Sequence, residues 1–502
     1  MQIEEFKSIY WLLPEINLIS IILGLLAYGV IYRTSSNGLY SQQKKITWLS
    51  IIGLGCTFFL INGIFCELEQ GEIIEIGTLM GIDKYILIVK EIILLSGIGI
   101  LILSLDYYAK DNFKDYEYTQ LIIISILGML LLVSSKDLIV LYLSIELISL
   151  SLYILAGIER KKELSTEAGL KYFIMGALSS GILLMGSAII YIETGDTNFT
   201  AIGQYIMYSD SQQGLEIGSM LIVVAFLFKL AAAPFHMWAP DVYEGSPTII
   251  TAFFAIVPKF SILSTLIILI YGPFLGIWSN MLQNVILGCG IISIIIASIG
   301  GINQAMLKRL IAYSAIGHIG FMLLGLGVAT FSSLQATLLY LFFYLLMSFN
   351  LFTFLLIVLK KGGNHITQLW NISRKAPVLA ITFTICLFSI AGIPPLAGFF
   401  SKWIILLTVV ESQYYALALI AVLFSAVSCF YYLRLIHFLY FQDTPPYLLH
   451  ALNSNLLQSS HISVSFERSL ILGVSLYLIL TLLFYPNPLL MISFDCLINS
   501  LA

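Results

Sequence analysis

Residues 228–244 read FKLAAAPFHMWAPDVYE. They close an apolar stretch, Ile217 to Pro240, in which Lys229 is the only charge. Proline removes a backbone donor and clashes with the preceding turn. A charge at the centre of a bilayer costs about 2.5–3.5 kcal/mol even on the lenient insertion scale. Interrupted helices at that depth survive only where protein or water satisfies the freed backbone groups. The run therefore predicts a membrane helix broken at Pro234 beside a buried lysine. A second run of this kind, Gly392-Ile393-Pro394-Pro395 followed by Gly398 and Lys402, lies in another apolar stretch. Paired breaks in two halves of a transporter point to an ion path at the breaks. Here they fall in the seventh and twelfth predicted helices. Two five-helix repeats follow, helices 4–8 and 9–13, inverted relative to each other because five is odd.

The rest of the chain agrees with this reading. Of 502 residues, 59% are apolar and 10% charged, and mean hydropathy is +0.97. A soluble domain carries about 25% charged residues, so the composition points to an integral membrane protein. A net charge of −4 gives no nucleic-acid footprint. The six cysteines form no CxxC pair, and no GxGxxG or GxxxxGK[ST] occurs. These absences argue against a metal site, an iron–sulfur cluster or nucleotide binding in this chain. Spans of roughly 20 apolar residues, read between the charges, predict an all-α polytopic protein of about 14 transmembrane helices with two broken ones. The first is read as a retained helix, because it has no small-residue cleavage pattern. The predicted division is 1–117, an N-terminal three-helix segment; 118–271, the first repeat; 272–440, the second; and 441–502, a last helix and tail. Odd-numbered loops collect most of the basic residues, among them Arg33, Lys110, Lys114, Arg160, Lys161, Lys162, Lys308, Arg309, Lys360 and Lys361. Even-numbered loops collect Glu67, Glu69, Glu72, Glu75 and Asp210. The positive-inside rule puts the odd loops on the cytoplasmic or matrix side. The seventh loop, holding Asp241 and Glu244, is the one odd loop without Lys or Arg.

Four charges lie deep in apolar runs: Glu146, Lys229, Lys259 and Lys402. Such residues face the bundle interior, pair, or line a hydrated path. A buried lysine that gains and loses a carboxylate partner binds and releases a proton. Glu146 and Lys229 are expected within ion-pair or water-bridged reach. Lys402 is expected in the second half where Lys229 stands in the first. The structural alternative is a static pair of Glu146 with one lysine, which leaves two lysines unexplained. His318, inside the tenth helix, and His236, just past the first break, are candidate relays because imidazole titrates near neutral pH. Packing roles compete for both.

Residues 228–248, Gly392 to Lys402, Lys308-Arg309-Leu310-Ile311-Ala312-Tyr313-Ser314 with Gly317-His318-Ile319-Gly320, and Tyr142 to Leu147 around Glu146 together resemble the antiporter-like membrane subunits of respiratory complex I. The likeness runs from about residue 118 to 440. Asp241-Val242-Tyr243-Glu244-Gly245 and a Lys at 402 favour the chain 2 type of NADH–ubiquinone oxidoreductase over the chain 4 type, which resembles it but carries Glu there. The resemblance implies 14 helices with inverted repeats and a chain that moves protons through Glu146, Lys229, Lys259 and Lys402. It implies no cofactor in this chain, with FMN, iron–sulfur clusters and ubiquinone elsewhere in the complex. Its partners would be other membrane-arm subunits, chain 4 type among them, and the bilayer. Ile- and Tyr-rich composition and Ser246 to Phe254 look closest to the mitochondrial form of plants and algae, hence an inner mitochondrial membrane, with a bacterial plasma membrane or thylakoid as alternatives. Two other readings compete: a subunit of a multisubunit sodium/proton antiporter without electron transfer, and a structural spacer.

Overall fold

The computed structural model describes residues 9–32, 39–69, 72–105, 107, 117–208, 213–277, 280–359, 364–370, 372–442 and 464–501. Of the charges that orient the loops, Arg33, Lys110, Lys114, Asp210, Lys360 and Lys361 lie outside the described residues. A bilayer offers no water to backbone amides and carbonyls, so long apolar segments close their hydrogen bonds within a helix. The chain does so in α1 (Leu13–Tyr32), α2 (Leu39–Glu67), α3 (Lys84–Ser104), α4 (Glu117–Ser134), α5 (Leu138–Ala156) and α6 (Glu163–Thr194). It continues through α7 (Phe199–Tyr208), α8 (Gln213–Leu230), α9 (Trp238–Gly245), α10 (Thr248–Tyr271), α11 (Asn280–Ile302) and α12 (Leu307–Val328). The longer helices after these are α13 (Phe331–Val358), α14 (Pro377–Ala391), α15 (Ala397–Glu411), α16 (Tyr415–Tyr440), α17 (Phe466–Phe484) and α18 (Asn487–Leu501). Among the described residues, 12 helices are long and apolar enough to cross a membrane. There are 13 if Phe466–Leu482 and Asn487–Asp495, bent by 90°, count as one span.

Helix ends follow local chemistry. Asp83 and Asp137 cap α3 and α5, their Oδ1 atoms accepting from the Ile86 and Ile139 amides at 2.7 Å. Burial pushes the Asp83 carboxyl above its ordinary range, against the pull of the Ile86 amide and of Lys136. Thr330 and Ser333 form a capping box that starts α13 and so divides the charge-free stretch Leu310 to Leu359 into two helices. Helix α6 begins at Glu163, ahead of the charge-free stretch that starts at Tyr172, because Glu163, Glu167 and Lys171 end the apolar run without breaking the helix. The second loop holds the two strands found among the described residues. They are Ile74–Ile76 and Met80–Ile82, paired antiparallel. Met80 bridges to Ser135 and Asp137 to Asn198, so this hairpin and two neighbouring loops form one cap.

Helices α10, α12 and α13 form the centre. Their most apolar windows are 94%, 89% and 89% buried, against 33% for α6 and 22% for α16. Helix α10 packs on α3, α4 and α13, and α12 packs on α9, α11, α13 and α15. An N-terminal ion pair joins α1 to α3: Lys90 Nζ lies 2.6 Å from Glu15 Oε1, and both side chains are buried. The sequence pattern puts Lys90 near a helix end, and the structure buries it in α3 with Glu15 as its partner. Breaking such a pair by removing one partner leaves an uncompensated charge.

Candidate functional site

Glu146, Ser149 and Tyr153 occupy one face of α5 at i, i+3 and i+7. Ser149 Oγ donates to Glu146 Oε2 at 3.2 Å. From α8, Lys229 Nζ donates to the Tyr153 hydroxyl at 3.2 Å and stands 5.6 Å from the centre of its ring. A Cβ at Gly176 of α6 would collide with that hydroxyl, so glycine leaves the tyrosine its place. Glu146 and Lys229 make no direct ion pair. The Ser149 hydroxyl is bonded to the carboxylate and the Tyr153 hydroxyl to the ammonium, both from the same face of α5.

Helix α8 ends one residue beyond Lys229, and Ala231 turns left-handed at φ 61°. The peptide bond before Pro234 is cis. The freed groups find partners. Ala232 N–H donates to Leu227 O at 2.9 Å, Ala233 N–H to Ser293 Oγ of α11 at 2.8 Å, and Trp238 Nε1–H to Phe228 O at 3.0 Å. The segment that follows, expected as the end of the seventh helix and a loop, is the separate helix α9. Behind the break, a cavity of about 20 Å³ lies between Lys229 and Lys259, lined also by Ser149, Tyr172 and Trp238. That volume holds one water.

Lys259 is the only charge in α10 and follows Pro258, which deprives the helix of one amide donor. Its Nζ donates to the Tyr344 hydroxyl at 3.3 Å, and that hydroxyl donates to Ala255 O at 3.1 Å. The rings of Tyr243 and Tyr344 lie 5.7 and 5.5 Å from the ammonium. On α12, His318 Nδ1 shares a 2.7 Å hydrogen bond with the Tyr340 hydroxyl, and its ring centre is 5.4 Å from that of Tyr344. His318 shares a cavity with Lys402 on one side, and on the other its ring neighbours Tyr344, the partner of Lys259. A cavity of about 20 Å³ lies on each side of His318. One is lined by Tyr344 and Ser348. The other is lined by Lys402, Ser428 and Tyr432, with Ser314 Oγ and Tyr432 Oη 2.5 Å apart.

Lys402, near the start of α15, donates to Ile390 O at 3.0 Å and Ala391 O at 2.8 Å. Those carbonyls close the C-terminal end of α14, where the helix dipole favours a cation. Gly392 makes the arrangement possible. Its φ of +86° is a glycine conformation, and a Cβ there would press on the lysine at 2.9 Å. Pro394 and Pro395, joined by a cis bond, carry the chain to α15. Lys229 precedes its break and Lys402 follows its own, so the expected correspondence of position does not hold.

The structure thus brings Glu146, Lys229, Lys259, His318 and Lys402 into one line. His236 is buried beyond the first break but lines none of the three cavities. Sequence reasoning missed Tyr153, Tyr340, Tyr344 and Tyr432, since nothing in the sequence separates them from the other tyrosines. Among the described residues no three His, Cys, Asp or Glu side chains gather as a metal site would.

Residues 135–428 match the family described as NADH:quinone oxidoreductase/Mrp antiporter, TM. The NADH-ubiquinone oxidoreductase chain 2 of Marchantia polymorpha is 38% identical, over 96% of this chain and 96% of that one. The NADH-quinone oxidoreductase subunit N of Rhodospirillum rubrum is 39% identical, over 86% of this chain and 87% of that one. Among solved structures, a chain of respiratory complex I from Thermus thermophilus with bound aureothin superposes with a TM-score of 0.76 at 24% identity. It covers 95% of this chain and 98% of that chain, a likeness of fold.

Proposed function

Because this chain belongs to the NADH:quinone oxidoreductase/Mrp antiporter family, we propose that its line of buried side chains is the proton path of a complex I membrane-arm subunit. The protein is a proton-translocating subunit of NADH:quinone oxidoreductase. The observation that carries the path is continuity. From Glu146 to Lys402 each titratable side chain is followed by a hydroxyl or a water-sized cavity. Lys229 holds its proton while the Glu146 carboxylate is near. When that carboxylate is withdrawn, the proton passes from Lys229 Nζ through the cavity water to Lys259 Nζ, then by way of Tyr344 and His318 towards Lys402. Lys402 releases it on the acidic side. NADH oxidation and quinone reduction belong to other subunits, which carry FMN and iron–sulfur clusters.

The finer architecture belongs to the same proposal. With α14 and α15 taken as one broken span and α17 as the last, the helices number fourteen. Residues 118–271 and 272–440 form inverted repeats, flanked by 1–117 and 441–502. The neighbours are other membrane-arm subunits, chain 4 type included. The membrane is the mitochondrial inner membrane, with protons moving from matrix to intermembrane space.

Two measurements test this. The first is purification of the native complex through a tag on this chain. Flavin and iron–sulfur absorption with NADH-driven proton movement are expected; a complex without them that exchanges sodium for protons would make the chain an antiporter subunit. The second is Tyr153→Phe, which removes the hydroxyl between Glu146 and Lys229 and keeps the ring. Coupled proton movement should slow by about tenfold, a barrier increase of about 1.4 kcal/mol, in a normally assembled complex. Wild-type rates would take Tyr153 out of the path.

A further inference from the structure

We propose that α9 is a lever whose outer ion network, centred on Arg309, sets the gap between Lys229 and Lys259, making Arg309 a positioning residue for transfer between them. The proposal rests on reading those two lysines as proton carriers. On the inner side, three contacts tie α9 to that gap. Trp238 Nε1–H donates to Phe228 O, in the turn that carries Lys229. The Trp238 ring stacks on Tyr172 at 4.7 Å and 15°, and both rings wall the cavity between the lysines. The buried Tyr243 ring stands 5.7 Å from Lys259 Nζ. One helix of eight residues therefore meets the turn that carries Lys229, the ammonium of Lys259 and the water-sized space between the two lysines.

The outer side of α9 is held by charges from elsewhere. Asp241 and Glu244, at i and i+3, share a face. Arg309 of α12 reaches both, Nη2 to Asp241 Oδ1 at 3.1 Å and Nη1 to Glu244 Oε2 at 3.3 Å. Lys171 of α6 takes the other Asp241 oxygen at 2.8 Å and pairs with Glu167 at 2.8 Å. Lys308 Nζ donates to Ser246 O at 2.6 Å, at the C-terminal cap of α9. The seventh loop, which has acids and no bases, thus receives its counter-charges from α6 in the first half and α12 in the second. A planar guanidinium offers its donors in a fixed fork, which suits Arg309 to hold Asp241 and Glu244 in one geometry. Asp241, Arg309 and Lys171 are each about a third exposed or more. Pairs of this kind add little stability, and salt screens them. What the network supplies is a fixed seat for α9.

The experiment uses the assembled complex in liposomes, with Arg309→Gln, Arg309→Lys and Lys259→Ala beside wild type. Arg309→Gln should slow NADH-driven proton movement by about three- to thirtyfold, the range of energetic coupling through packed networks. NADH oxidation by an artificial acceptor, which takes electrons upstream, should stay at the wild-type rate. Arg309→Lys should recover part of the loss. Wild-type proton movement should fall as salt rises from about 0.1 M to about 1 M, where the screening length drops from about 10 Å to about 3 Å, and Arg309→Gln should respond less. If Lys259→Ala loses proton movement while Arg309→Gln keeps both the wild-type rate and the wild-type salt profile, the lever is wrong and the carriers stand. If Lys259→Ala moves protons normally, the carrier reading falls and the lever with it. Should Arg309→Gln fail to assemble, Asp241→Asn takes its place under the same criteria.

Discussion

Lys259→Ala is expected to stop NADH-driven proton movement almost completely, while NADH oxidation by an artificial acceptor continues. Lys259 is the only charge in α10, the most enclosed helix of the bundle. It lies between the cavity shared with Lys229 and the Tyr344 hydroxyl that leads to His318. Removing it leaves the proposed proton path without a titratable group at its middle. A positioned acid or base contributes about 10²- to 10⁴-fold to a proton transfer, so a loss of at least about 100-fold is expected. A pH-sensitive dye inside reconstituted vesicles reads this directly. Proton movement at the wild-type level in an assembled Lys259→Ala complex would end the carrier role.

Lys402 gives the second large effect, and the comparison of Ala with Arg carries the information. Alanine removes both the proposed carrier and the cation that caps the Ile390 and Ala391 carbonyls. Arginine keeps the charge, but guanidinium does not give up its proton in proteins. Space is also short, since the lysine stem already packs against the Gly392 backbone. Both variants should therefore lose proton movement by about 100-fold or more. Lys402→Arg should retain more thermal stability than Lys402→Ala, because the α14 carbonyls keep a cation. Wild-type proton movement in Lys402→Arg would show that a fixed charge suffices there.

The membrane spans were legible because lipid leaves a chain one solution for each long charge-free run. Lys229, Lys259 and Lys402 were legible because each is expensive where it stands. The breaks were legible from Pro234, Pro394 and Pro395. What fills the intervals between the charges was not. Tyr153, Tyr340, Tyr344 and Tyr432 are four among the chain's many tyrosines, and only packing selects them. Lys90 escaped because its partner, Glu15, lies 75 residues away in another helix. Helix α9 escaped because its charges, Asp241 and Glu244, resemble a solvated loop until Arg309 and Lys171 arrive from elsewhere in the chain.

The cavities along the path have a consequence for ion selectivity. Each offers about 20 Å³, walled mostly by aliphatic and aromatic side chains, with a few hydroxyls and a lysine or histidine nitrogen. An alkali cation passing that way would have to exchange its hydration shell for several oxygen ligands, as a channel filter provides with rings of carbonyls. Here it would meet lysine ammoniums, which repel it, in spaces with room for one water. A proton needs no such cage. It moves as a rearrangement of bonds along donors and acceptors that stay in place, so narrowness that excludes a metal cation costs it nothing. On the proposed proton path, discrimination between the two would thus follow from the close packing of α10, α12 and α13, with no dedicated filter.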